Sequence, residues 1–149
     1  MQVKTKAYGL IDVDERQKLM FAQGLFGFEP YKEYILLDAE RQPFYWLQSV
    51  DCEEVAFVLI NPFQFRPDYE VDIDNEELSG IGITDPEKVL VFAIVTIPPD
   101  GGPMTANLLG PLVINRDTRQ GRQVVLSDPC WKTKHDVIAE LAGRRDSPC

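Results

Sequence analysis

Residues 89–115 read VLVFAIVTIPPDGGPMTANLLGPLVIN, and this stretch decides the fold. Val89–Ile97 is nine residues long and rich in Val, Ile and Phe. That is too short for a membrane-crossing helix and suits a strand buried on both faces. Pro98-Pro99-Asp100-Gly101-Gly102-Pro103 ends it, because prolines lack the ladder N–H and glycines permit positive φ. Thr105–Leu109 restarts as a strand, Gly110-Pro111 punctuates, and Leu112–Asn115 continues. No nucleophile or base stands at either end of these apolar segments, so the region reads as the packing of a binding scaffold.

Outward from it, short apolar runs recur between turn signals, the pattern of an all-β chain. Val3–Tyr8, Lys18–Phe21, Tyr34–Asp38, Phe44–Val50, Val55–Ile60 and Arg122–Ser127 read as strands. Gly24–Pro30 is a glycine-bracketed loop placed to hold Phe26 or Phe28 against the body, and Asn61-Pro62 is a sharp break. Tyr69–Asp74 alternates as a strand should: Tyr69, Val71 and Ile73 take one face, Glu70, Asp72 and Asp74 the other. Asp74 can cap a short helix over Asn75–Leu78, and Thr84–Glu87 is a second helix start. Trp131, His135, Ile138, Leu141 and Ala142 recur at helical spacing and predict a C-terminal helix, followed by fraying over Gly143–Cys149. The expected fold is all-β, a small antiparallel, partly open β-barrel with short helices, since closure removes sheet edges.

With 149 residues and 44% hydrophobic side chains, the expectation is a single domain over residues 1–149 with a core that needs no staples. Fifteen basic against 24 acidic side chains give a net charge of −9. Such a field repels nucleic acid and anionic lipid and favours a basic partner, although it serves solubility as readily. Cys52, Cys130 and Cys149 are an odd number at irregular spacing, which reads as no disulfide framework and as a reducing compartment. The N-terminal MQVKTKAYGL has no apolar signal core and no window reaches membrane-spanning length, so a cytoplasmic location is expected.

Chemistry-bearing groups are sparse. His135 is the sole histidine, five residues from Cys130, and no clustered ligand pairs suggest zinc. Counted from Asp68 or Asp72, the calcium-loop positions that require Gly and Glu hold Ile73 and Ser79, or Glu77 and Ile83. Gly24-x-x-Gly27 and Gly101-Gly102 lack the Lys-Ser/Thr of a phosphate loop, and Lys and Arg are scattered rather than striped. The expectation is no cofactor, no metal, no catalytic residue and no enzyme.

Several segments in order resemble one family. They are Gly24-Leu25-Phe26-Gly27-Phe28-Glu29, Phe44-Tyr45-Trp46-Leu47-Gln48-Ser49, Ala56-Phe57-Val58, Asn61-Pro62, Tyr69–Ile73, Val95–Pro98 and Thr105–Asn115. Together they span about Gly24–Leu126 and resemble the flagellar assembly factor FliW family, the resemblance fading after Ser127 to leave 128–149 as a divergent tail. It implies a small cytoplasmic β-barrel that is not an enzyme. It further implies two protein partners, flagellin and the translational regulator CsrA, an RNA-binding homodimer. Flagellin export would free the factor to capture the regulator and so release flagellin mRNA for translation.

On this reading Asp68, Glu70, Asp72 and Asp74 are the candidate acidic face for CsrA, because Asp68–Glu77 holds six acidic residues and no basic one. Tyr45, Gln48, Ser49, Asn61, Pro62, Thr105, Asn107 and Leu108 are candidates for flagellin or the regulator. An amphipathic flagellin segment would want an apolar groove. Phe44, Trp46, Leu47 and Ile114 read instead as core. No direct nucleic-acid or membrane contact is expected. The rival from another class is a split-barrel flavin-binding protein or enzyme, since small barrels host both.

Overall fold

The computed structural model of the protein describes residues 1–143. Strands β1 (Gln2–Thr5) and β2 (Gly9–Asp12) form a hairpin of their own. The main sheet contains β3 (Lys18–Met20), β4 (Glu33–Asp38), β5 (Phe44–Ser49), β6 (Ala56–Ile60), β7 (Val89–Thr96), β8 (Thr105–Ala106), β9 (Leu112–Asn115), β10 (Gly121–Gln123) and β11 (His135–Asp136). Among the described residues there are two short α-helices, α1 (Asn75–Gly80) and α2 (Val137–Leu141). Every ladder is antiparallel, and the main path runs β10-β9-β7-β6-β5-β4-β3, with β8 joining β7 to β11.

The two ends of that path meet without a ladder. Met20 of β3 bridges Gln120, just before β10, and its N–H donates to the Arg119 carbonyl at 3.0 Å. The sheet is therefore curled but not closed, which is the partly open barrel expected. The approach needs a bare backbone: a Cβ on Gly121 would lie 2.6 Å from the Phe21 ring.

Alternation sorts the side chains. Leu47, Leu59, Phe92, Leu112 and Ile114 point to the inner face and pack with Phe21 and Tyr34. Ile60, Ala93, Val95 and Val113 point to the outer face. That outer face is roofed by the excursion 61–88, through Phe65, Tyr69, Ile81 and Ile83, and by Trp131 and Val137 from the C-terminal region. The β1–β2 hairpin covers the rest, with Val3 and Val13 against Ile35 and Leu37. Because the central strands are covered on both faces, the run 89–95 is apolar throughout rather than alternating.

Several expectations shift. Tyr69–Asp74 pairs with no strand, although its side chains keep the expected alternation: Tyr69 is buried, Val71 and Ile73 half-buried, and Glu70, Asp72 and Asp74 exposed. Thr105–Leu109 is laddered only over Thr105–Ala106, since Asn107 Oδ1 accepts from Gly110 N at 2.8 Å and turns the chain. The C-terminal helix begins at Val137, capped by Asp136, because Trp131 and His135 belong to the segment leading into and forming β11. Of the two aromatic candidates in the glycine-bracketed loop, Phe28 packs edge-on against Phe57 at 5.0 Å while Phe26 is 55% exposed, and Leu25 is the loop's buried anchor. Leu47 and Ile114 are core as expected, whereas Phe44 and Trp46 are half-buried. Cys52 is a half-buried free thiol. Of the expected fraying over Gly143–Cys149, all but Gly143 lies outside the described residues.

Candidate functional site

After β6 the chain leaves the sheet. Asn61 Oδ1 accepts from Phe63 N at 3.0 Å and Pro62 sits at the first position of a 3₁₀ turn, so this pair starts the excursion. Arg66 then turns inward. Its side chain is 2% exposed, lies over the Trp131 ring at 4.9 Å, and pairs with Asp68 at 2.8 Å and with Glu140. Hydrogen bonding to Asp68 first, and to Glu140 second, pushes the guanidinium pKa above its ordinary range. Glu140 also takes His135 Nδ1 at 3.0 Å, while His135 Nε2 accepts from Lys132 N at 2.9 Å, which places the neutral ring's proton on Nδ1. Tyr69, its phenol pKa raised by burial, donates to the Leu108 carbonyl at 2.6 Å and meets Trp131 edge-on. These clamps fix where residue 70 emerges.

From there Glu70, Asp72 and Asp74 are exposed in alternation with half-buried Val71 and Ile73, and Asp74 Oδ1 caps α1 by accepting from Glu76 N at 2.9 Å. Beneath them opens a groove of about 410 Å³, floored by Phe63, Val71, Ile73, Leu78, Val89 and Val91, with Asp72 on its lip. Phe63 is 40% exposed there. The site is thus an apolar trough with Asp72 at its lip and the exposed Glu70 and Asp74 on the same run, suited to a segment that is apolar on one side and basic on the other.

Of the acidic face foreseen from sequence, Glu70, Asp72 and Asp74 are exposed, and Asp72 stands at the groove. Asp68 is held by Arg66 instead. The second set of candidates is used mostly by the fold. Gln48, 1% exposed, accepts from Lys6 N at 2.9 Å and donates to the carbonyls of Ser49, Cys52, Glu53 and Val55. Ser49 Oγ accepts from Asp51 N and Cys52 N, both at 3.2 Å. Leu108 is fully buried, Pro62 is buried, and Asn61 and Asn107 cap turns. Tyr45 stacks edge-on against Phe92 at 5.4 Å, and Thr105 is half-buried in β8.

A second open groove, of about 580 Å³, does use the Phe44–Ser49 block, through Phe44 and Trp46 rather than Tyr45 or Gln48. Tyr8, Val58, Ile97 and Met104 complete its apolar lining. Arg66, Glu140 and the floor residues Leu78, Val89 and Val91 were not singled out from sequence. Alternation marks Val71 and Ile73 as inward, but no local spacing joins Arg66 to a residue 74 positions away. Among the described residues no group of three or more His, Cys, Asp or Glu is placed to hold a metal ion, and no helix is long and apolar enough to cross a membrane.

The family model described as "FliW protein" matches residues 2–137, a wider span than the segments quoted above. A flagellar assembly factor FliW of Treponema denticola is 51% identical over 146 residues, covering 97% of this chain and 99% of that protein. The Treponema pallidum protein of the same name is 48% identical over 145 residues, covering 97% of each. The crystal structure of a flagellar assembly factor FliW superposes with a TM-score of 0.84 at 39% identity, covering 92% of this chain and 96% of that one. On sequence and on fold alike, the chain belongs to the FliW family.

Proposed function

We propose that this protein is a flagellar assembly factor that works by exchanging protein partners. It binds flagellin, and when flagellin is exported it captures the translational regulator CsrA, relieving repression of flagellin mRNA translation. The observation that carries this reading is an apolar groove with Asp72 at its lip, on a chain of net charge −9. An RNA-binding regulator must present cationic surface to hold phosphate, and long-range attraction then speeds its encounter with this acidic protein. Once docked, Glu70 and Asp72 would also repel the RNA backbone. Inhibition then needs no coverage of every RNA contact. The second groove, apolar and bordered by one cation (Arg41) and one anion (Glu40), suits the amphipathic helix of a flagellin terminus.

The protein acts in the cytoplasm, as one domain over residues 1–149, without cofactor or catalysis, and touches neither RNA nor membrane directly. The acidic groove favours this reading over a flavin-binding split barrel, because no Lys or Arg lines it to meet a flavin phosphate. The test is the triple substitution Glu70→Lys, Asp72→Lys, Asp74→Lys, titrated against CsrA by calorimetry. Affinity should fall by roughly 0.2–1 kcal/mol per lost contact, with a flatter salt dependence. Unchanged isotherms at low salt reject the acidic site, and wild-type protein that ignores both CsrA and flagellin rejects the function.

A further inference from the structure

The run 70–74 alternates between exposed and half-buried side chains as a strand does, and it pairs with no strand. Tyr69 N donates back to the Arg66 carbonyl and Leu78 N to the Asp74 carbonyl. Between them, among the described residues, the N–H and C=O groups of Glu70, Val71, Asp72 and Ile73 enter no ladder and no turn hydrogen bond. Such a row of open donors and acceptors is a template for an added strand. Its two faces already differ. Val71 and Ile73 are half-buried and line the groove, while Glu70, Asp72 and Asp74 are exposed, Asp72 at the groove's lip.

Side chains directly opposite on paired strands interact, and like charges there are unfavourable. A second copy of this run would set carboxylate against carboxylate and is disfavoured. A strand with Lys or Arg at alternate positions meets each carboxylate with an opposite charge. Its intervening aliphatic side chains then extend the Val71–Ile73 face into the trough beside Phe63, Leu78 and Val89.

We propose that residues 70–74 are a strand-addition site for an extended partner segment that alternates basic and aliphatic residues. The proposal takes from the function above only that the protein binds proteins. Five paired residues correspond to roughly 17 Å of strand.

The experiment uses the full chain, isotope-labelled, and a capped seven-residue peptide of alternating Lys and Val. Amide exchange should slow at least tenfold at alternate positions within 70–74 and stay unchanged elsewhere, with the effect shrinking as salt rises. A Glu/Val peptide should do nothing. Two further Lys/Val peptides, N-methylated on one edge or on the other, separate backbone pairing from simple charge attraction: one must lose binding and the other keep it. Equal binding of both methylated peptides overturns the proposal, as does protection elsewhere or no spectral change at low salt. So does a Lys/Leu peptide of helical spacing that fills the groove without protecting these amides. CsrA that binds while leaving 70–74 unprotected overturns strand addition alone. Peptide protection in a protein that ignores both CsrA and flagellin overturns the function alone.

Discussion

The Phe44–Ser49 and Thr105–Asn115 blocks and the 68–74 run look alike in sequence, each mixing polar and apolar residues at strand-like spacing. The fold treats them in opposite ways. In the first two, Gln48, Ser49 and Asn107 direct their polar atoms at nearby backbone, and Leu108 is buried. In the third, Glu70 and Asp72 face solvent, and the backbone between them is unladdered. The difference lies in the neighbours. A central strand has chain on both sides and its polar side chains must be satisfied internally. A roof segment has chain on one side only, so its outer face is left for water or a partner. A polar residue near an apolar block therefore says little about recognition until its burial is known.

The contrast can be broken most severely at the clamp that holds the roof down. Glu140→Ala should cost about 3 kcal/mol of unfolding free energy in urea melts. That is the lower end for losing one partner of a buried pair, because Asp68 still accepts from Arg66. If the roof rather than the sheet carries recognition, the same variant also weakens CsrA binding. Gln48→Ala leaves Lys6 N without its acceptor and takes a donor from the Ser49 and Glu53 carbonyls, and should cost about 1–3 kcal/mol, with affinity for both partners unchanged. A loss of affinity at unchanged stability would return Gln48 to the interface.

Asn107→Ala removes only the side-chain bond to Gly110 N and should cost about 0.5–1.5 kcal/mol, again without a binding defect. The smallest effect is a control outside both regions. Asp14 caps the 3₁₀ turn Glu15–Gln17, and hydrogen bonds from Arg16, side chain first and backbone second, hold its pKa at about 2 against an ordinary 3.8. Its folded pKa is depressed, so the cap's contribution is complete above about pH 4 and lost as pH falls through about 2. An NMR titration should place the Asp14 midpoint near 2, and a midpoint near 3.8 would show that the cap does not hold.

Local physics was legible in the residues themselves. Periodicity and turn chemistry placed β4–β7 and β9 within a residue or so, and Asp74 caps its helix as read. Those signals act over one to four positions, so one sequence carries them whole. The alternation of 69–74 was also legible, and only the inference from alternation to ladder failed, since facing a core requires no paired neighbour.

Long-range assembly decided the rest. The Lys6–Gln48 bond joins positions 42 apart and the Arg66–Glu140 pair positions 74 apart. Which carboxylates end on the rim, and which apolar residues floor the groove, depends on how 61–88 folds back across β7. Charge and strand pattern were written in the chain. Burial was not, because it is a property of what packs alongside, and only the folded molecule supplies that.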